Sequence, residues 1–212
     1  MTIRGLYVLV NEELGIDALE LCEQVLEGGA DIIQFRDKRG PSKEMITKAK
    51  ELKKLCGRYG VPFILNDYVD LVEEVGADGV HVGQKDMGAM DVRWRLGSSV
   101  ILGVSVATVD EAYQAIVQEA DYLGCGPVYS TNTKNHPFAP RKPEGLRQVV
   151  EASSIPVIAI GGIGIPQIPE VMKTGAAGIA IVSAIAHAEN PQKMTRQMKE
   201  AMKGLRTGTK TT

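Results

Sequence analysis

Eight short apolar runs punctuate the chain, at residues 5–10, 31–35, 62–65, 79–82, 100–104, 122–128, 156–160 and 178–182. Most are nearly continuous in hydrophobicity rather than alternating, as in strands covered on both faces of a parallel sheet. Helical periodicity fills the gaps, over 18–27, 42–55, 69–75, 90–96, 109–118, 145–151, 166–173 and 191–203. Thr108 or Asp110 is placed to cap the fifth helix, and Pro166 and Pro191 suit first-turn positions. A helix end, a Gly-Ala-Asp or similar triplet and an apolar strand recur at 28–33, 76–82 and 175–181. Glu119-Ala120-Asp121-Tyr122 is a related form without Gly. Eight such units predict a closed (β/α)8 barrel. A doubly wound open sheet is the alternative, but it usually has fewer strands, and no G-x-G-x-x-G opens the first helix.

The strand ends collect polar residues. Gln34-Phe35-Arg36-Asp37-Lys38 closes the second run and Asn66-Asp67 the third; Asp86 follows the fourth and Thr131-Asn132-Thr133-Lys134 the sixth. Gly161-Gly162 and Ser183 end the last two. A barrel builds its active site at that end. Asp67 and Asp86, on neighbouring units, can share a Mg²⁺ ion whose octahedron water and substrate phosphate complete. Each alone also reads as a helix cap or a turn residue. Gln34, Arg36 and Lys38 alternate along a strand and project to one side, into the mouth. Two cations there are costly to bury unless they meet an anion, which is either a substrate or a structural acid partner for Arg36. Lys134 adds a third cation, with the Thr131 and Thr133 hydroxyls beside it, in a basic, Pro-containing loop at 132–141 read as mobile over the mouth. Gly162 and Ser183 fit the place where barrels often hold a phosphate, although the glycines also suit a tight turn.

Other residues read as structural. His81, His136 and His187 lack the spacing of a metal set, and His81 lies within an apolar strand as a hydrogen-bonded core residue. Cys125 has no histidine nearby in sequence to activate it and reads as a packed residue. Trp94 is expected to pack on its helix.

Bulk properties narrow the class. The 212 residues fit one domain, assigned to 1–203 with a flexible tail at 204–212. A net charge of −2, from 24 basic and 26 acidic residues, argues against a nucleic-acid or membrane-surface role and leaves small anionic molecules as partners. Three cysteines without metal-ligand spacing, and no signal-peptide pattern, fit a reducing cytoplasm.

Taken together, the motifs resemble those of the thiamine-phosphate synthase (thiamine-phosphate pyrophosphorylase) family. The family's Q-x-R-x-K matches residues 34–38, N-D-x-x-D-L matches 66–71, and D-G-V-H-x-G-Q-x-D matches 78–86. Its G-x-S is Gly103-Val104-Ser105, G-P-x-x-x-T-x-T-K spans 126–134, A-I-G-G-I spans 159–163, and V-S-A-I spans 182–185. The resemblance implies a TIM barrel and a transferase that joins 4-amino-2-methyl-5-hydroxymethylpyrimidine diphosphate to 4-methyl-5-(2-hydroxyethyl)thiazole phosphate, releasing diphosphate. Carried over by position, Gln34, Phe35, Arg36, Asp37, Lys38, Asn66, Ser105 and Lys134 bind the pyrimidine diphosphate. Of these, Arg36, Lys38, Ser105 and Lys134 are expected to be catalytic. Thr131, Asn132, Thr133, Gly162, Val182 and Ser183 bind the thiazole phosphate, and Asp67 and Asp86 hold Mg²⁺; the sequence leaves the oligomeric state open, a homo-oligomer included. Two rivals stand beside this reading: a thiazole tautomerase on the same barrel, and a non-catalytic phosphate-binding barrel. The tautomerase resemblance calls for a histidine where Ala107 stands, and the non-catalytic barrel lacks the Asp pair.

Overall fold

The computed structural model describes residues 3–131 and 139–205. Its strands are β1 (Gly5–Val10), β2 (Ile32–Phe35), β3 (Phe63–Asn66), β4 (Gly79–Val82), β5 (Ile101–Val106), β6 (Tyr122–Cys125), β7 (Val157–Ile160) and β8 (Gly178–Ile181). All neighbours are parallel, and β1 pairs with β8 through Gly5 and Gly178, which closes the barrel and removes the open-sheet alternative. The expected tail lies almost wholly outside the described residues.

Alternation along the strands creates two cores. Tyr7, Leu9, Ile32, Ile64, Tyr122, Ile158 and Ala180 pack inside the barrel. Their strand neighbours, such as Leu6, Val8, Ile33, Phe35, Leu65 and Ile179, pack outward against the helices. Those include α1 (Ala18–Glu27), α2 (Lys43–Tyr59), α3 (Val72–Val75), α4 (Ala89–Leu96) and α5 (Val109–Val117). Next come α6 (Lys142–Ala152), α7 (Ile168–Met172), α8 (Ser183–Ala186) and α9 (Pro191–Met202). Helix starts follow the local chemistry: Asp17, Ser42, Thr108 and Asn190 each accept a first-turn N–H. Two helices expected to be continuous open instead as 3-10 turns, at Val69–Leu71 and Ile165–Gln167. Trp94 does not pack; its residue is 81% exposed.

The repeated Asp before a strand has a specific job at the N-terminal rim. Asp31 donates its N–H to the Leu6 carbonyl while its carboxylate accepts the Leu6 N–H at 2.7 Å. Asp78 does the same to Phe63 and Asp121 to Leu102. Each carboxylate is then paired with a helix cation: Lys199, Lys53 and Arg93, all at 2.6 Å. The Leu6 N–H of β1, the Phe63 N–H that opens β3 and the Leu102 N–H of β5 thus receive a charged acceptor. The fourth repeat carries Ala177 in the Asp position, where only the backbone bond to Val157 remains. Asp78→Ala strands the buried Phe63 N–H and an uncompensated Lys53, and is expected to lower unfolding stability by about 2–3 kcal/mol. Urea unfolding followed by circular dichroism measures this; a loss below about 0.5 kcal/mol would refute the clamp.

Candidate active site

Because the strands run parallel, their C-terminal ends converge on one mouth. The described residues enclose there a cavity of about 1520 Å³. That exceeds the roughly 300–1,000 Å³ of a typical single-ligand pocket, so two ring substrates have room side by side. Arg36, Lys38, Lys85 and Arg141 line it, as do Glu13, Asp67, Asp86 and Glu111.

On β2 and the segment after it, alternation divides the predicted motif. Gln34, Arg36 and Lys38 line the cavity. Phe35 and Asp37, expected among the binding residues, turn away. Phe35 is 1% exposed in the outer core. The Asp37 carboxylate is held by Arg39 at 2.5 Å, and that hydrogen bond lowers its pKa. The side chains of these two therefore do not reach the site, since consecutive strand residues face opposite sides. Arg36 meets an acid within its own chain, Glu13 at 3.4 Å. Glu13 comes from the short 3-10 turn Glu12–Leu14 after β1, an element the hydrophobic pattern does not reveal.

At the ends of β3 and β4, the Asp67 and Asp86 carboxylates come close enough for their charges to interact. Asp67 is held at φ 67°, a left-handed conformation unusual outside glycine, and caps no helix. Its pKa is pushed up to about 6, first by burial and then by the Asp86 charge, while Asn66 and Lys38 pull it down. Asp86 also accepts the Gly83 N–H at 2.7 Å, so it serves its turn and presents a carboxylate to Asp67 at once. Asp70 is engaged elsewhere, with Arg95 at 2.7 Å. Two carboxylates crowded together against burial form a donor set that a divalent cation relieves. Among the described residues no third His, Cys, Asp or Glu joins them. A two-carboxylate site leaves coordination positions for water and phosphate, which suits Mg²⁺.

Asn66 and Ser105 also line the cavity, and the Ser105 carbonyl accepts from Gln84 at 2.7 Å. Across the mouth stand Thr131, Gly162, Val182 and Ser183, with Gly161 and Ser130 beside them. Gly162 has φ +65°, and a Cβ there would come within 2.5 Å of the Ser130 carbonyl oxygen, so no larger residue fits. Asn132, Thr133 and Lys134 lie outside the described residues. Burial pushes the Cys125 thiol up to about 12, which keeps it protonated and packed.

Sequence reasoning missed Glu13, Glu111 and Arg141 in the wall, and took His81 for core alone. His81 is indeed buried, but its Nε2 lies 2.8 Å from the Ser105 hydroxyl and its Nδ1 2.9 Å from the Tyr122 hydroxyl. Gly103, first residue of G-x-S, makes this contact sterically feasible: a Cβ there would sit 2.1 Å from the Tyr122 ring and 2.4 Å from His81 Nδ1.

A parallel (β/α)8 barrel whose mouth gathers a carboxylate pair and inward cations, with no catalytic triad among the described residues, has the architecture of a barrel enzyme with its site at the C-terminal strand ends. Residues 6–185 match the family model described as thiamine monophosphate synthase. The thiamine-phosphate synthase of Shouchella clausii is 41% identical over 199 residues, covering 93% of this chain and 95% of that protein. That of Bacillus cereus is 45% identical over 188 residues, 87% of this chain and 84% of its own length. A solved thiamine phosphate pyrophosphorylase from Pyrococcus furiosus superposes with a TM-score of 0.88 at 38% identity, covering 95% of this chain and 96% of that one. The chain belongs to the thiamine monophosphate synthase family, and it is a transferase of thiamine biosynthesis.

Proposed function

We propose that the chain condenses 4-amino-2-methyl-5-hydroxymethylpyrimidine diphosphate with 4-methyl-5-(2-hydroxyethyl)thiazole phosphate, giving thiamine phosphate and diphosphate. The observation that carries the reading is one cavity in which the Asp67–Asp86 pair and the cations Arg36 and Lys38 come together from successive strand ends. In this assignment Gln34, Arg36, Lys38, Asn66, Ser105 and Lys134 bind the pyrimidine diphosphate. Thr131, Asn132, Thr133, Gly162, Val182 and Ser183 bind the thiazole phosphate. Asp67 and Asp86 would hold Mg²⁺, which neutralises charge on the departing diphosphate.

The chemistry asks little of a general base. The bond between the pyrimidine's exocyclic carbon and the diphosphate oxygen breaks, and the aminopyrimidine ring delocalises the positive charge left behind. The thiazole nitrogen, which has no proton to lose, then forms the new C–N bond. Arg36, Lys38 and Lys134 stabilise the leaving trianion where its charge develops, donors of a kind typically worth about 3–4 kcal/mol each. The cavity walls hold the two rings in line. A tautomerase reading is disfavoured because Ala107, in the wall, has no titratable group, and its N–H is held by Glu111 at 2.5 Å.

The reading includes a reducing cytoplasm, supported by three free, buried cysteines. No helix among the described residues is long and apolar enough to cross a membrane. It also includes a homo-oligomer, for which Val109, Tyr113 and Val117, spaced four apart on α5 and 40–63% exposed, offer an apolar stripe.

The deciding assay supplies each substrate alone, then both, with and without Mg²⁺. Diphosphate release is expected only with both substrates and the metal. Isomerisation of a thiazole carboxylate phosphate without any pyrimidine would transfer the assignment to the tautomerase class.

A further inference from the structure

The turn after β4 carries a cation to which the assignments above give no role. Lys85 lines the cavity and is exposed at its rim. Among the described residues its ammonium forms no ion pair and no hydrogen bond, whereas Arg36 has Glu13, and Lys53 and Lys199 have the carboxylates of the opposite rim. The backbone beneath it is fixed. In the tight turn 83–86 the Asp86 N–H donates to the Gly83 carbonyl at 3.1 Å, and the Asp86 carboxylate accepts the Gly83 N–H at 2.7 Å. The Gln84 amide ties the same turn to the Ser105 carbonyl of β5 at 2.7 Å. Lys85 is thus anchored at its backbone and uncommitted at its charge.

The proposed chemistry has a use for that charge. A Mg²⁺ ion would balance the Asp67 and Asp86 carboxylates, so the diphosphate trianion has to be met by side chains. Arg36 and Lys38 approach from β2, and Glu13 already draws on Arg36. Even with Lys134 counted as assigned above, the balance falls short by the charge of Glu13. Lys85 comes from the other flank, after β4. The Lys38 charge lowers the Asp67 pKa, and Lys85 is not among the groups that shift it, so Lys85 stands away from the carboxylate pair, towards solvent. Arg141 enters two strands further round, with its N–H on the Pro127 carbonyl that follows β6. Gln34 is 3% exposed, deep in the barrel, while Asp86 and Lys85 are exposed. A pyrimidine bound at the Gln34 end therefore extends its diphosphate outward, and the terminal phosphate is the part that reaches the rim.

We propose that Lys85 is a substrate-binding residue that grips the terminal phosphate of the pyrimidine diphosphate, so that the site selects a diphosphate over a monophosphate. The inference rests on the pyrimidine diphosphate assignment of the preceding section.

The test measures dissociation constants by titration calorimetry, with Mg²⁺, for the pyrimidine diphosphate and for the corresponding monophosphate. Wild type is set beside Lys85→Met, which keeps the stem and removes the charge, and Lys85→Arg. At low ionic strength Lys85→Met should weaken the diphosphate about tenfold and leave the monophosphate unchanged. The difference should shrink as salt is raised, because the group is exposed. Lys85→Arg should keep most of the preference. The KM for thiazole phosphate, the Mg²⁺ concentration for half-activation and the melting temperature should not move. An unchanged diphosphate affinity, or equal weakening of both ligands, would overturn the grip. A raised Mg²⁺ requirement would overturn it too, since the substitution would then act through Asp86. Wild-type protein that condenses both substrates while Lys85→Met keeps the full preference overturns the grip alone. Wild-type protein that binds neither pyrimidine overturns the functional reading, and the grip with it.

Discussion

Asp67→Asn is expected to cut turnover by about 10²–10³-fold while making the metal-free protein more stable above pH 6. The kinetic loss follows from removing one of two carboxylates that would hold Mg²⁺ at the departing diphosphate. The stability gain follows from the titration of Asp67. Its carboxyl sits at about 6 in the folded protein against an ordinary 3.8. Between those values the folded state keeps a proton that the unfolded chain has released. Stability from this group is therefore fully present below about pH 4, falls as pH rises through about 6, and is flat above. Discounted for the solvent on its open side, the cost at neutral pH is about 1–2 kcal/mol, or several degrees in melting temperature. Asparagine removes the charge and tolerates the left-handed backbone at φ 67°, which alanine would strain. Melting curves from pH 4 to 8, with and without Mg²⁺, check both halves. Wild type should gain from Mg²⁺ at pH 7.5 and the variant should not. A variant that keeps full activity, or a wild type indifferent to Mg²⁺, removes the metal from Asp67.

Arg36→Ala is expected to lower kcat/KM for the pyrimidine diphosphate by about 10²–10³-fold, with little change in the KM for thiazole phosphate. The Arg36 side chain is only 13% exposed and faces the cavity beside Lys38. Lysine at this position should recover only part of the loss, because a point charge does not reproduce the planar fork that grips phosphate oxygens. In the described structure its partner is Glu13, at 3.4 Å, a distance that marks a loose pair. An incoming diphosphate competes with Glu13 for the guanidinium, so Glu13→Gln should lower the KM for that substrate by a few-fold. Steady-state kinetics on the three variants separates the roles. Equal effects of Arg36→Ala on both substrates would mean that the residue serves the barrel rather than the diphosphate.

Much of the fold was legible because its physics is local. Strands buried on both faces are mostly apolar, so eight such runs could be counted along the sequence. Boundaries moved where local signals tie: β6 stops at Cys125, although the apolar run continues to Val128, and β5 continues to Val106, past the expected end at 104. Trp94 failed differently. A helical position next to an apolar face reads as packed, but only the neighbouring element decides whether anything covers it.

The site divides along the same line. The placement of single residues at strand ends was readable: Gln34, Arg36 and Lys38, the carboxylates Asp67 and Asp86, and the small residues Gly162 and Ser183 all line the cavity. The fate of Phe35 and Asp37 was implicit in strand alternation, and the structure made it explicit by turning one into the outer core and tying the other to Arg39. What no linear reading could supply is what distant segments do to one another. Asp67 acquires its raised pKa from burial and then from the charge of Asp86, nineteen positions away by number, because adjacent parallel strands end side by side. Tyr7 and Tyr122 meet at 2.8 Å across 115 positions because the barrel closes around them and Gly103 leaves the room. Hydrophobic period and turn chemistry belong to the chain and determine the barrel; charge proximity, burial and hydrogen-bond order arise only when the chain has folded back on itself, and they turn a row of strand ends into a site.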